Sequence, residues 1–160
     1  MDIPIIYRRM KQGEEEQVFT FIKNVFNQFV APEFSQEGIE EFMKYIQPDA
    51  LVSHLKINHF ALIAALGFEI IGVIVLRDYN HVALFFVGHR YQRKGIGREL
   101  LHKALEVCNR HEVNTSKITV NASPNSIDAY KKLNFEPTDK EQCVNGIRFV
   151  PMTLSPMPFP

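Results

Sequence analysis

The chain has 160 residues, 46% of them hydrophobic, with 18 Lys and Arg balanced by 18 Asp and Glu. That length holds one domain with a real core and is short for two, and zero net charge argues against a nucleic-acid binder, which shows an overall basic excess or a long basic face. Two cysteines without a CxxC make no disulfide framework and fit a reducing compartment.

MDIPIIYRRMK lacks the basic head and long apolar stretch of a signal peptide, and no apolar run is long enough to span a bilayer. The expectation is a cytoplasmic protein that engages no membrane. Residues 1–153 read as a single domain, followed by a Pro-rich irregular tail, 154–160.

In chain order, Ile3 to Arg9 reads as the first strand. Glu14, Glu15 and Glu16 open a helix, since carboxylates suit the positive end of its dipole. Val18, Ile22, Val25, Phe26 and Phe29 keep helical spacing until Pro32. Ser35 is the N-cap of a second helix with Ile39, Phe42, Met43 and Ile46 on one face, closed by Pro48. No element is assigned to 49–58.

His59 to Leu66 is almost wholly apolar, as in a strand covered on both faces. Gly67 turns it into a strand over Glu69 to Arg77, and Asp78, Tyr79 and Asn80 turn that into one over His81 to Val87. Links this short imply antiparallel hairpins. Ile96 to Arg110 is helical, with Leu100, Leu101, Ala104, Leu105 and Cys108 in one stripe. Lys117 to Asn121 is a buried strand, and the long link before it suits a parallel crossover. Ser123 and Pro124 start another helix, which ends near Leu133 with Asn134 as its left-handed terminator. Glu141 to Val144 and Ile147 to Thr153 form a closing hairpin around Asn145-Gly146. The fold class is α+β: a mixed, mostly antiparallel sheet with one parallel βαβ crossover and helices on its faces.

Between the His81 strand and its following helix lies Gln92-Arg93-Lys94-Gly95-Ile96-Gly97. The first amides of a helix have no intrahelical partner, and with the dipole they form an anion site suited to phosphate. The two glycines admit positive φ and close approach of a pyrophosphate, while Arg93, Lys94 and Arg98 add charge at the rim. The third glycine of a Rossmann fingerprint is replaced by Leu100, and a P-loop needs Gly-Lys-Ser/Thr where this chain has Lys94-Gly95-Ile96. Taken alone, the segment is equally a basic loop whose glycines serve a tight turn.

In context, Gln-x-x-Gly-x-Gly after an apolar strand resembles the acetyl-CoA signature of the GNAT superfamily of N-acetyltransferases. KITVNASPNSIDAYKKLNF, residues 117–135, is similar to that family's next strand and helix, and NGIRFVPM to its terminal strand. The match is strongest over residues 59 to 153. It departs at Asn134, where the family usually has Gly, and at Gly88 and His89, where it often has Pro.

The resemblance implies acetyl transfer from acetyl-CoA to a primary amine by direct attack in a ternary complex. It gives the amides of Gln92, Arg93, Lys94, Gly95, Ile96 and Gly97, with Arg98, to the pyrophosphate. Phe86 and Val87 would pair with the pantetheine arm, and Asn121 would hydrogen-bond it from the other side. Tyr130 matches the family's general acid, which protonates the departing thiolate; from its residue type alone it is equally a helix tyrosine packed on the sheet. The attacking amine must be neutral. Glu33, Glu69, Asp78 and His81 are candidate bases by location only, and none is singled out.

Cys108 belongs to a core stripe, Cys143 has no histidine partner, and the six histidines show no metal-ligand spacing, so no metal is expected. Solvent exposure or local capping accounts for His54 and His59. Phe19, Phe21, Phe26 and Phe29 are mostly core residues, and one or two of them, with Phe34, could line an acceptor pocket. Without an acidic cluster to draw a polycation, a small-molecule acceptor is preferred over a protein. A CoA-binding sensor module that needs no Tyr130 is the alternative. Dimers are common in the family, which leaves a homodimer open.

Overall fold

The computed structural model describes residues 3–111 and 117–154. The strands are β1 (Ile5–Arg9), β2 (His59–Leu66), β3 (Glu69–Arg77), β4 (His81–Val87), β5 (Thr119–Ala122), β6 (Phe135–Pro137), β7 (Gln142–Val144) and β8 (Ile147–Leu154). The helices are α1 (Glu15–Phe29), α2 (Gln36–Ile46), α3 (Pro48–Lys56), α4 (Ile96–Arg110) and α5 (Ile127–Lys132). Strand order is β1-β2-β3-β4-β5-β8-β6, with β7 paired to β8. Every pairing is antiparallel except β4 with β5.

Two apolar cores lie on opposite faces of the sheet. Leu100, Leu101, Ala104, Leu105 and Cys108 of α4 pack with Leu62, Ile71, Ile74 and Leu76. Val18 and Ile22 of α1, Ile46 of α2 and Leu51 of α3 pack with Ala61, Ile63, Val73 and Val75. Alternate residues of β2 and β3 therefore enter different cores, which is why these strands are apolar throughout rather than at every second position. Burial pushes the Cys108 thiol up to about 11, so it packs as a neutral group.

Several local expectations change. Pro48 opens α3 rather than only closing α2, because a first helical residue has no use for the N–H that proline lacks. The helix after Ser123 begins as a 3-10 turn over Pro124–Ser126, and the Ser123 hydroxyl bonds Asn125 and Ser126 instead of capping a backbone amide. Phe135–Pro137 is a strand that no periodicity marked, three residues being too short for one. Leu154, expected in the tail, is buried and ends β8; residues 155–160 lie outside the described residues. His54 and His59 are only partly exposed, their rings stack at 5.2 Å, and each bonds a nearby backbone carbonyl. Among the described residues, no helix is long and apolar enough to cross a membrane.

Candidate active site

The junction between β4 and α4 is built by its backbone. The Gly88 amide donates to the Ile71 carbonyl at 2.8 Å, a 3-10 turn covers His89–Tyr91, and Gln92 is extended. The Gln92 side-chain amide donates to the Val87 carbonyl at 3.0 Å and so ties the loop to the strand it left. Arg93 and Gly95 then take left-handed conformations, with φ of 62° and 83°, a combination that gathers successive N–H groups into an anion-binding concavity. Gly95 is the N-cap of α4 and brings no side chain, so the amides of Ile96, Gly97 and Arg98 have neither an intrahelical nor a capping partner. The first helical bond is from the Glu99 amide to Gly95. Ile96 is buried and anchors the turn, while Arg93, Lys94 and Arg98 are exposed around it. The geometry suits an anion at the positive end of a fifteen-residue helix.

Beside this cradle the sheet opens. The parallel pairing of β4 with β5 holds at His81–Thr119 and Val82–Val120 and stops there. Beyond it β4 stays with β3, and Asn121 and Ala122 of β5 pair with Pro151 and Val150 of β8. A β-bulge at Ala83 separates Val75–Leu84 from Leu76–Val82, which sends Val82 into one core and Leu84 into the other. Backbone groups of successive strand residues face opposite edges. The Gly88 amide faces β3, so the Val87 amide faces the open slot and that of Phe86 faces β3. The Phe86 ring stands 6.0 Å from Phe42, on the α2 side. A Cβ on Gly97 would lie 3.6 Å from both Phe85 and Val87, at the corner where slot and cradle meet.

The far wall of the slot carries Asn121, Ser123, Ser126 and Tyr130. Tyr130 comes from α5, which Asn134 terminates at φ 72°, turning the chain into β6. Its ring meets Phe85 and Phe135 edge-on at 6.1 and 5.4 Å. Burial pushes the phenol well above its ordinary range, and its hydroxyl has no hydrogen-bond partner among the described residues.

The slot continues into a cavity of about 390 Å³. Phe26, Phe34, Phe42, Tyr45 and Phe149 supply its aromatic walls, and Glu41, Arg77, His81 and Arg148 its ionisable ones. Of Phe19, Phe21, Phe26 and Phe29, Phe26 alone reaches this cavity, and Phe34 joins it. Glu41, Phe42 and Tyr45 come from the 24–60 segment, where no motif marked them; the helical spacing of Phe42 and Tyr45 on α2 is the only signal. Ties cross the opening: Glu33 accepts from the Asn125 amide at 3.1 Å, the Asn125 side chain donates to the Phe29 carbonyl, and Ser35 donates to the Gly146 carbonyl at 3.2 Å. Of Glu33, Glu69, Asp78 and His81, only His81 lines the cavity. Its Nδ1 pairs with the Thr119 hydroxyl at 2.8 Å, and burial, helped by Arg77, lowers its pKa to about 4. Among the described residues no His, Cys, Asp and Glu cluster could hold a metal ion.

This architecture has many solved counterparts. An N-acetyltransferase of Rhodopseudomonas palustris superposes with a TM-score of 0.78 at 18% identity, over 97% of this chain and 98% of that one. The PaiA N-acetyltransferase of Thermoplasma acidophilum, solved with coenzyme A, gives 0.76 at 18% identity over 93% and 98%. Apo YjaB of Escherichia coli gives 0.69 at 18% over 94% and 97%. At these identities the likeness is one of fold. No curated protein matches the chain. Residues 30–156 match the family model of the acetyltransferase (GNAT) domain, whose members use acetyl-CoA. A match over most of the length, on this fold and around this junction, settles membership: the chain belongs to the GNAT acetyltransferase family.

Proposed function

We propose that residues 1–153 act as one acetyltransferase domain that moves the acetyl group of acetyl-CoA to a primary amine, small molecules being favoured over proteins as acceptors. The observation that carries this reading is the slot where β4 and β5 part, beside the helix-start amides that no side chain caps. Acetyl-CoA supplies an activated acetyl thioester and a pyrophosphate by which to hold it. The amides of Gln92 to Gly97 bind that pyrophosphate, with Arg93, Lys94 and Arg98 adding charge at the rim. Val87 and Asn121 flank the pantetheine arm from opposite sides of the slot, Asn121 hydrogen-bonding it, and Phe86 walls the arm on its acceptor side.

The chemistry is one displacement. The amine nitrogen attacks the thioester carbonyl, the C–N bond forms, and the C–S bond breaks. The Val87 amide stabilises the negative charge that develops on the carbonyl oxygen. Tyr130 gives its proton to the departing thiolate, the proton lost by the nitrogen leaves through the cavity to solvent, and the phenolate takes one back from solvent. Burial disfavours the phenolate, so Tyr130 holds its proton before the step. The free cysteines fit a reducing compartment, the cytoplasm being the simplest.

The test is CoA release with a panel of amines. Wild type turns over at least one of them, and Tyr130→Phe lowers kcat by about 100-fold or more with the acetyl-CoA Kd unchanged. Binding of acetyl-CoA without turnover of any amine would leave a CoA-binding module instead.

A further inference from the structure

The charges around the cavity do not balance. Glu41 pairs with Lys44 at 3.5 Å. Arg148 is held by both oxygens of Glu141, at 3.0 and 3.1 Å. His81 is hydrogen-bonded to Thr119 and stays uncharged near neutral pH. Arg77 alone among these lining groups has no opposite charge within ion-pair distance among the described residues. Arg77 ends β3 opposite His81, two residues beyond Val75 and so on the same face of the sheet as the α1–α3 core.

Aromatic rings stand between Arg77 and the slot. Phe26 stacks on Phe42 at 4.0 Å, and Phe42 meets Phe86 at 6.0 Å. Phe86 stands opposite Val73, four residues before Arg77 on β3, roughly 13 Å along the strand. Tyr45 also lines the cavity, within reach of the Arg77 charge, and its hydroxyl is buried without a hydrogen-bond partner. The cavity thus presents aromatic walls and, at its rim, an exposed guanidinium with no ion-pair partner among the described residues, a group made to hold a carboxylate by two parallel hydrogen bonds.

We propose that the acceptor amine carries a carboxylate at its far end, bound by Arg77, with an apolar body of several carbons between. This inference rests on the acetyltransferase reading and names its substrate class. A diamine meets the wrong charge there, since the one acidic lining group, Glu41, already has Lys44.

Three probes of equal length separate the alternatives: 6-aminohexanoate, hexylamine and 1,6-diaminohexane. Each is measured for kcat/KM at saturating acetyl-CoA, and for Kd against the CoA-loaded protein. In wild type, 6-aminohexanoate exceeds hexylamine at least tenfold and the diamine is poorest. Arg77→Ala brings the ratio of 6-aminohexanoate to hexylamine to about one, Arg77→Lys keeps part of it, and the acetyl-CoA Kd does not move in either variant. A wild-type ratio of one or less, or a preference that survives Arg77→Ala, overturns the inference while leaving the acetyltransferase reading in place. If no probe is acetylated, Arg77-dependent tighter binding of 6-aminohexanoate upholds the carboxylate site and counts against catalysis. Equal binding of the probes, or none, overturns the site.

Discussion

Burial acts in opposite directions on two of the titratable side chains that line the cleft. It raises the Tyr130 phenol and lowers the His81 imidazole, because in each case the charged form is the one that loses water. The neutral forms are the useful ones: a phenol that still owns its proton, and an imidazole that adds no second positive charge beside Arg77. His81 also links protonation to folding. Its pKa falls from 6.5 to about 4 on folding, so between those values the unfolded chain binds more protons and stability falls as pH is lowered. The full shift corresponds to about 3 kcal/mol, and partial exposure reduces this to about half. Melting followed from pH 7.5 to pH 4.5 is expected to show wild type losing more stability than His81→Gln. Parallel curves for the two proteins would remove His81 from this account.

At the scale of elements, the acceptor cavity depends on two pieces of chain meeting at backbone distance. The β7–β8 turn uses Asn145 and Gly146, both at positive φ, and so has the twist of a tight antiparallel hairpin. Its Gly146 carbonyl lies against the first turn of α2, where a Cβ on Gly38 would come within 2.2 Å of the carbonyl oxygen. One side of the contact carries Phe42 and Tyr45, the other Ile147, Arg148 and Phe149, and all five line the cavity. Gly38→Ala therefore forces hairpin and helix apart. The expected result is a loss of about 1–3 kcal/mol in stability and a several-fold rise in the KM for the amine, with acetyl-CoA affinity unchanged. Urea unfolding and steady-state kinetics check the two parts separately. Nothing in the sequence marks this contact, since Gly38 sits inside a good helical pattern and its partner is over a hundred residues away. The cradle is different: its glycine spacing, its helix and its preceding strand are contiguous, and a local pattern is enough to find them. Residues 49–58 failed for a local reason, because a proline that can end one helix can equally begin the next.

Across the whole molecule, the meander β2–β3–β4, the crossover through α4 and the helices on both faces could be anticipated because each follows from hydrophobic period and link length. The point where β4 and β5 separate could not. No change of pattern in either strand marks it, and what draws them apart is pairing with different neighbours, β3 on one side and β8 on the other. Among the described residues β4 and β5 pair at two positions, His81–Thr119 and Val82–Val120, and the ties through Asn125 and Ser35 also cross between the two parts of the sheet. A ligand lying in the slot bridges them. Acetyl-CoA is thus expected to stabilise the fold as a whole: at 100 times its Kd the gain is about 2.7 kcal/mol, or roughly 5–10 °C in Tm for a chain of this size. Gly97→Glu places a carboxylate at the corner between cradle and slot, against Phe85 and Val87, and repels the pyrophosphate. Its Tm is expected to stay flat as acetyl-CoA is added, while wild type climbs with the logarithm of the concentration. A variant that climbs equally would mean that the pyrophosphate binds elsewhere than the Gln92–Gly97 cradle.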